Sequence, residues 1–367
     1  MLLMTDPRLT SVLRRGRNDA ITDVSGVAVG HSTIIGGEGV HEVGKGPVRT
    51  GVTVVLGRTD DVWTRPLFAG CHRLNGNGDV TGLEWLREAG QLGGPIALTN
   101  TYSVGLVRDT LASMGVEHSQ MPSGPWSLPV VGETWDGVLN DIEGHHVRAE
   151  HVRASVAGAT GGAVPQGNVG GGTGMTSYGF KGGIGSASRI TPDGRWTVGA
   201  LVQANHGDRE QLLIGGVPIG RLISAADVPE PGIEASSSIL MVLATDAPLL
   251  PHQCERMAQR AGMGLARTGA TANHSSGDFA ICFATGNRDL PRAGFGSSAD
   301  LISSIAYLPE PAMTPLFKAA VEATEAAIIN ALLAAETMVG RDGVTAHALE
   351  PAHVQQVLRG YRHQGHG

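Results

Sequence analysis

Five short apolar runs constrain this chain more than any other feature: Val52–Leu56, Ile96–Thr99, Val198–Ala204, Ile239–Ala244 and Phe279–Ala284. Each is four to seven residues long and bounded by Gly, Asn, Asp or Pro. Several are too continuous to leave one face wet. Strands buried on both faces have this pattern, so layers are needed above and below the sheets. Helical segments between the runs can supply them: Leu83–Leu92, then Pro251–Arg267, with Cys254, Met257, Ala258, Ala261 and Leu265 on one side. The spacing predicts a third helix from Pro315 to Met338. Thr314 is placed to cap it, Pro315 suits the first helical position, and Gly340 follows as a stop. Phe317, Val321, Ile328 and Leu332 give it one apolar face, and its alanines allow close approach of a neighbour. Without a fixed-period repeat or a long linker, residues 1–367 read as a single mixed α/β domain.

Glycine reaches 54 of 367 residues, about twice ordinary usage. The glycines are interleaved with Val, Ile and Leu and follow no triplet, which excludes collagen and argues against disorder. A net charge of −7, 4% aromatics and the lack of a Lys/Arg run argue against nucleic-acid partners. Cys71, Cys254 and Cys282 are an odd number, widely spaced, and suit a reducing compartment. Met1–Arg17 lacks the apolar stretch of a signal peptide, and no run approaches a membrane span. A soluble, cytoplasmic protein is expected.

Familiar catalytic signatures are missing. There is no G-x-G-x-x-G, Walker loop, H-E-x-x-H or G-x-S-x-G nucleophile elbow. Gly167–Gly174 lacks the lysine of a phosphate loop and reads as either a tight backbone approach or plain loop. His145, His146 and His151, and the later His353, His363 and His366, show no ligand spacing, so a metal role is not expected of them.

What remains is a run of hydroxyls. Ser236, Ser237 and Ser238 end a polar Pro/Gly-containing tract and abut the apolar strand Ile239–Ala244 without a spacer. A serine hydroxyl needs a base beside it. If the preceding peptide bond is cut, the new α-amine, with an ordinary pKa of about 7.7–8.0, can serve as that base. A strand's first position would hold such a residue on rigid scaffold. The same run also reads as solvated loop.

The chain resembles the N-terminal-nucleophile L-aminopeptidase/D-esterase and β-peptidyl aminopeptidase family, whose precursors cleave themselves. The resemblance is carried by the order of several blocks: Asn18–Gly26, Leu74–Asp79, Pro95–Gly105, Val131–Gly137, Gly167–Gly174, Val202–Gly207, Ser238–Pro251 and Ser275–Asp278. It implies a four-layer αββα sandwich, with Ser238 as nucleophile and cleavage between Ser237 and Ser238 into chains 1–237 and 238–367. Ser236 and Ser237 remain register alternatives. Asn205 matches the oxyanion donor. Ser276 and Asp278 match a serine and an acid that contact the nucleophile's amine and hydroxyl. Glu133 falls where a carboxylate meets the substrate's ammonium, and Trp135 stands in the substrate site where tyrosine is expected. The implied activity releases N-terminal residues from small peptides, amides or esters, without cofactor, in a homo-oligomer of αβ units. A related acyltransferase and an unprocessed, non-catalytic binding homologue are the alternative readings.

Overall fold

The computed structural model describes residues 12–118, 128–232, 237–291 and 302–363. The first half runs β1 (Ala28–Gly36), β2 (Val48–Leu56), β3 (Leu67–Gly76), α1 (Leu83–Ala89), β4 (Gln91–Leu92), β5 (Ile96–Asn100), α2 (Val104–His118), β6 (Val130–Thr134) and α3 (Ala149–Ala157). Then come β7 (Thr176–Ser177), β8 (Phe180–Lys181), β9 (Gly183–Ile190), β10 (Thr197–Asn205), α4 (Ile219–Leu222), β11 (Ser238–Thr245), α5 (Pro251–Arg267) and β12 (Gly277–Ala284). The chain closes with α6 (Thr314–Leu333), the β13–β14 pair (Met338–Val339, Thr345–Ala346) and α7 (Pro351–His363). All five apolar runs lie inside strands.

Two sheets form the centre, one in the order β1-β2-β5-β6 and the other β4-β3-β12-β11-β10-β9. Val55, Ile96, Leu98 and Val130 of the first meet Leu201, Leu240, Val242, Phe279 and Ile281 of the second in one buried cluster. On the outer face of the small sheet, Val52, Val54 and Ala97 pack with Val107 and Leu111 of α2 and Val152 of α3. Beyond the large sheet, Val202, Met241 and Cys282 pack with Met257 of α5 and Ile328 of α6. The result is helix, sheet, sheet, helix: the αββα sandwich. Burial of both sheet faces explains why the strands read as continuous apolar runs. The three cysteines are buried free thiols.

Two helices depart from expectation. The segment Leu83–Leu92 stops at Ala89, where Gly90 takes a left-handed φ of 65° and its N–H closes onto the Leu86 carbonyl; Gln91–Leu92 then pairs with β3. Helix α6 ends at Leu333, short of Met338, and Met338–Val339 pairs with Thr345–Ala346 instead. Thr314 is its first residue rather than its cap; a 3-10 turn, Glu310–Met313, leads in, and Met313 in the cap position makes no side-chain bond. Nor does α6 have a single apolar face. Every residue from Glu322 to Leu332 is buried, because the helix is enclosed by the large sheet and by α5.

Gly167–Gly174 resolves to the tight approach. A Cβ on Gly171 would stand 2.1 Å from Gln203 Oε1 and 2.7 Å from the Leu98 carbonyl, and one on Gly172 would stand 2.3 Å from the Ile184 nitrogen. Only glycine backbone fits where this segment threads between the sheets.

Candidate active site

Side chains alternate across a strand, and the packing fixes which way β11 and β12 face. Leu240, Val242 and Ala244 point between the sheets, whereas Ile239, Met241 and Leu243 point to the helices. Ser238, two residues before Leu240, therefore faces inward. It opens β11, is 3% exposed, and pairs in register with Asn205 at the end of β10 and with Gly277 at the start of β12. The Gly277 N–H donates to Ser238 Oγ at 3.1 Å.

Asn205 lies on the same face, since Leu201 points between the sheets four residues earlier. The Thr176 N–H donates to its Oδ1 at 2.9 Å, which orients the amide, and its Nδ2 donates to the Trp135 carbonyl at 3.1 Å. That carbonyl is where Trp135 touches the site. Its half-buried ring packs with Val138, Leu139 and Ala346 and lies over Gly137. Behind Thr176, buried Lys181 donates to the carbonyls of Gly172, Met175 and Gly182, so it fixes the backbone that presents Thr176. Burial lowers the Lys181 pKa to about 7 and lifts that of Asp136 to about 7.

Asp278 lies on the opposite face, toward the helices. Ser276 Oγ donates to its Oδ1 at 2.5 Å, and its carboxylate also accepts a backbone bond from Ile239, while Oδ2 has no partner among the described residues. The carboxylate thus reaches the backbone at the start of β11, not the Ser238 hydroxyl. Burial raises its pKa, against the lowering effect of those hydrogen bonds. A cavity of about 10 Å³ brings Ser237, Ser276 and Asp278 together with His206. Ser237 Oγ accepts from the Gly207 N–H at 3.1 Å. Ser236 lies outside the described residues.

Glu133, on β6, is 5% exposed. Its Oε1 accepts from the Asp79 N–H at 2.9 Å, and its Oε2 from the Thr101 hydroxyl. Burial again raises its pKa. Gly78 lies between this carboxylate and Gly277: a Cβ there would stand 3.1 Å from Glu133 Oε1, 3.2 Å from the Phe279 ring and 3.3 Å from Gly277 Cα. A cleft of about 360 Å³ opens beside it, walled by Gly78, Asp79, Trp85, Arg108 and Phe279. Another, of about 470 Å³, runs past Thr176, Asn205, Ser237 and Asn273. The groups that sequence reasoning left unassigned are Gly277, Gly78 and Thr101. Their contacts are an N–H, close packing and a single hydroxyl, although all three lie in or beside the quoted blocks.

No three metal-ligating side chains converge at Ser238 among the described residues. The arrangement is a hydroxyl on a strand's first residue, an oriented amide opposite it, a carboxylate beside the strand's backbone and a second carboxylate across the gap. That is equipment for acyl transfer through serine.

Comparison with known proteins agrees. Residues 19–346 match the model of peptidase family S58. β-Peptidyl aminopeptidase BapA of Sphingosinicella microcystinivorans is 44% identical over 361 residues, covering 95% of this chain and 89% of that one. A β-aminopeptidase structure from Burkholderia sp. superposes with a TM-score of 0.88 at 48% identity, over 95% of this chain and 96% of its own. The L-aminopeptidase D-Ala-esterase/amidase of Ochrobactrum anthropi, described as a variant of the Ntn-hydrolase fold, gives 0.89 at 38% identity, over 98% and 99%. The chain belongs to peptidase family S58, the serine aminopeptidases of the Ntn-hydrolase fold.

Proposed function

We propose that this protein is a self-processing aminopeptidase whose nucleophile is Ser238. The observation that carries the reading is the position of Ser238: first on β11, opposite Asn205, with Oγ held by the Gly277 N–H. In the precursor, Ser238 Oγ attacks the Ser237 carbonyl carbon. The C–N bond breaks as the C–O bond forms, and water hydrolyses the resulting ester, leaving a carboxylate on Ser237 and a free α-amine on Ser238. That amine then takes the proton from its own hydroxyl as Oγ attacks a substrate amide or ester. The Asn205 NH₂ stabilises the tetrahedral oxyanion, the amine returns its proton to the leaving group, and a water activated by the same amine releases the acyl group. Asp278 holds the amine, Glu133 pairs with the substrate's ammonium, and Trp135 serves the substrate site through the carbonyl that orients the Asn205 amide. The BapA and Burkholderia relatives make amides and peptides of β-amino acids the first substrates to test. A homo-oligomer of cleaved αβ units in the cytoplasm fits this reading.

Intact mass and N-terminal sequencing of purified protein test it. The expected result is two chains, 1–237 and 238–367, with serine at the new N-terminus, and a single uncut chain for Ser238→Ala. A cut elsewhere, or an active uncut chain, overturns the assignment.

A further inference from the structure

One polar cluster takes no part in the proposed chemistry. His41 lies in the loop joining β1 to β2, and Asp141 and Glu143 follow β6. His41 Nε2 stands 2.8 Å from Asp141 Oδ1 and 3.8 Å from Glu143 Oε2, and one ligand atom from each of the three falls within 4.8 Å of the others. We propose that His41, Asp141 and Glu143 form a binding site for a divalent transition metal of the zinc type.

The donor set is one imidazole nitrogen and two carboxylate oxygens. Three such protein ligands with a fourth position open to water are a common zinc arrangement, with metal–ligand distances of about 2.0–2.2 Å. Tetrahedral ligands at that radius lie roughly 3.4 Å apart, between the 2.8 Å and 3.8 Å separations found here. Small side-chain rotations are enough to accept the ion.

The outer groups are already in place. Asp141 is fully buried, and its Oδ2 is held at 2.7 Å by His146 Nε2 and at 2.8 Å by the Gly44 N–H. This turns Oδ1 toward His41. Hydrogen bonding of a ligating carboxylate by an outer residue is the usual way such a ligand is aimed. Gly144 makes room for the bond, because a Cβ there would stand 2.3 Å from His146 Nε2 and 2.4 Å from Asp141 Oδ2. His41 and His146 are slightly exposed and Glu143 about half exposed, so solvent reaches the site. Arg341 lies 3.5 Å from Glu143 Oε2, but it also has Asp342 at 3.6 Å and can yield its place to a metal. The His41 N–H donates to Asp342 Oδ1 as well. A bound ion would therefore tie together the β1–β2 loop, the segment after β6 and the turn at 341–343.

The test is equilibrium dialysis of the full-length protein against Zn²⁺, with Co²⁺ as a spectroscopic probe of ligand geometry. Other histidines bind metal adventitiously, so the readout is the difference between native protein and variants. We expect native protein to hold one equivalent more than His41→Ala and Glu143→Gln. His146→Ala should weaken that equivalent by about 10- to 100-fold. Zn²⁺ should raise the thermal midpoint of native protein and not that of Glu143→Gln, a near-isosteric change at a half-exposed side chain. Equal stoichiometry and affinity in native protein and both ligand variants overturns the site. So does the lack of any native binding below about 1 mM. Either result leaves the cluster as an ion-pair clasp. Both are independent of whether Ser238 is the nucleophile.

Discussion

Asn205 and Ser238 are register partners across the antiparallel β10–β11 ladder, and both side chains face the space between the sheets. Residues directly opposite on one face have Cβ atoms about 4.5–5.5 Å apart, so the amide lies beside the hydroxyl without any loop to position it. Thr176 and the Trp135 carbonyl then fix which end of the amide donates. In Asn205→Asp the acceptor for Thr176 survives and the NH₂ is lost. Turnover should fall on the order of 10²–10³-fold, and self-cleavage should slow. Rates within threefold of native for both steps would remove Asn205 from the oxyanion role.

The Asp278 carboxylate accepts from the Ser276 hydroxyl and lies by the Ile239 N–H at the start of β11, and in the proposed reading it holds the Ser238 amine. A neighbouring carboxylate favours the ammonium and raises an amine's pKa. In Asp278→Asn that support is gone, and the neutral, basic amine persists to lower pH. On processed material, the acidic limb of kcat/KM against pH should move to lower pH. An unmoved limb would mean that Asp278 does not face the amine.

Glu133 is buried and accepts from the Asp79 N–H and the Thr101 hydroxyl, and among the described residues no cationic side chain pairs with it. A substrate ammonium would complete it. Removing one member of a desolvated charge pair costs about 2–5 kcal/mol, so Glu133→Gln should reduce kcat/KM by about 30-fold or more on substrates with a free amine. Esters with an acylated amine should lose little. Because burial holds the Glu133 pKa above the ordinary range, KM for amine substrates should rise as pH falls, beginning above ordinary glutamate values. An equal loss on both substrate types would assign Glu133 to structure.

The strands were legible because burial on both faces removes alternation and leaves runs such as Ile239–Ala244. The Ser236–Ser238 run stood out because a polar tract ends abruptly against such a run, but the choice of Ser238 within it rested on the family resemblance. The end of α6 was not, since Ala334–Met338 continues the alanine-rich pattern and the strand pair with Thr345–Ala346 is a non-local choice. Gly277 left no signal either, because its contribution is an N–H that any residue carries; its glycine identity reflects Asn77, whose carbonyl would stand 2.5 Å from a Cβ. Which face Asp278 takes depends on strand register, and spacing alone does not give it.

Gly171 and Gly105 make a matched pair. A methyl at Gly171 meets Gln203 Oε1 and the Leu98 carbonyl at distances that real Cβ atoms do not tolerate, whereas one at Gly105, near the start of α2, meets nothing within 4 Å. Overpacking typically costs about 1–3 kcal/mol, and Gly to Ala in a helix gains roughly 0.5–1 kcal/mol. Gly171→Ala should lower the thermal midpoint by several degrees and Gly105→Ala should hold or raise it. Equal midpoints would contradict the threading of Gly167–Gly174 between the sheets.

His206 follows Asn205 and is buried with its ring edge-on to Tyr178 at 5.0 Å, and neither ring nitrogen has a partner among the described residues. Burial lowers its pKa from 6.5 to about 3. The folded protein therefore keeps this imidazole neutral while the unfolded chain protonates it below about pH 6.5. Since the unfolded state then binds more protons, stability falls with decreasing pH between about 6.5 and 3, at up to roughly 1.4 kcal/mol per pH unit for this one group. His31, lowered to about 4 by burial, adds a similar slope over a narrower window. In His206→Phe the ring contact with Tyr178 is kept and the titration removed. Denaturant midpoints at pH 7 and pH 5 should converge relative to native protein, by about one proton's worth of linkage. An unchanged pH dependence would mean that His206 reaches a solvent or hydrogen-bond partner in the folded state and that its burial is incomplete.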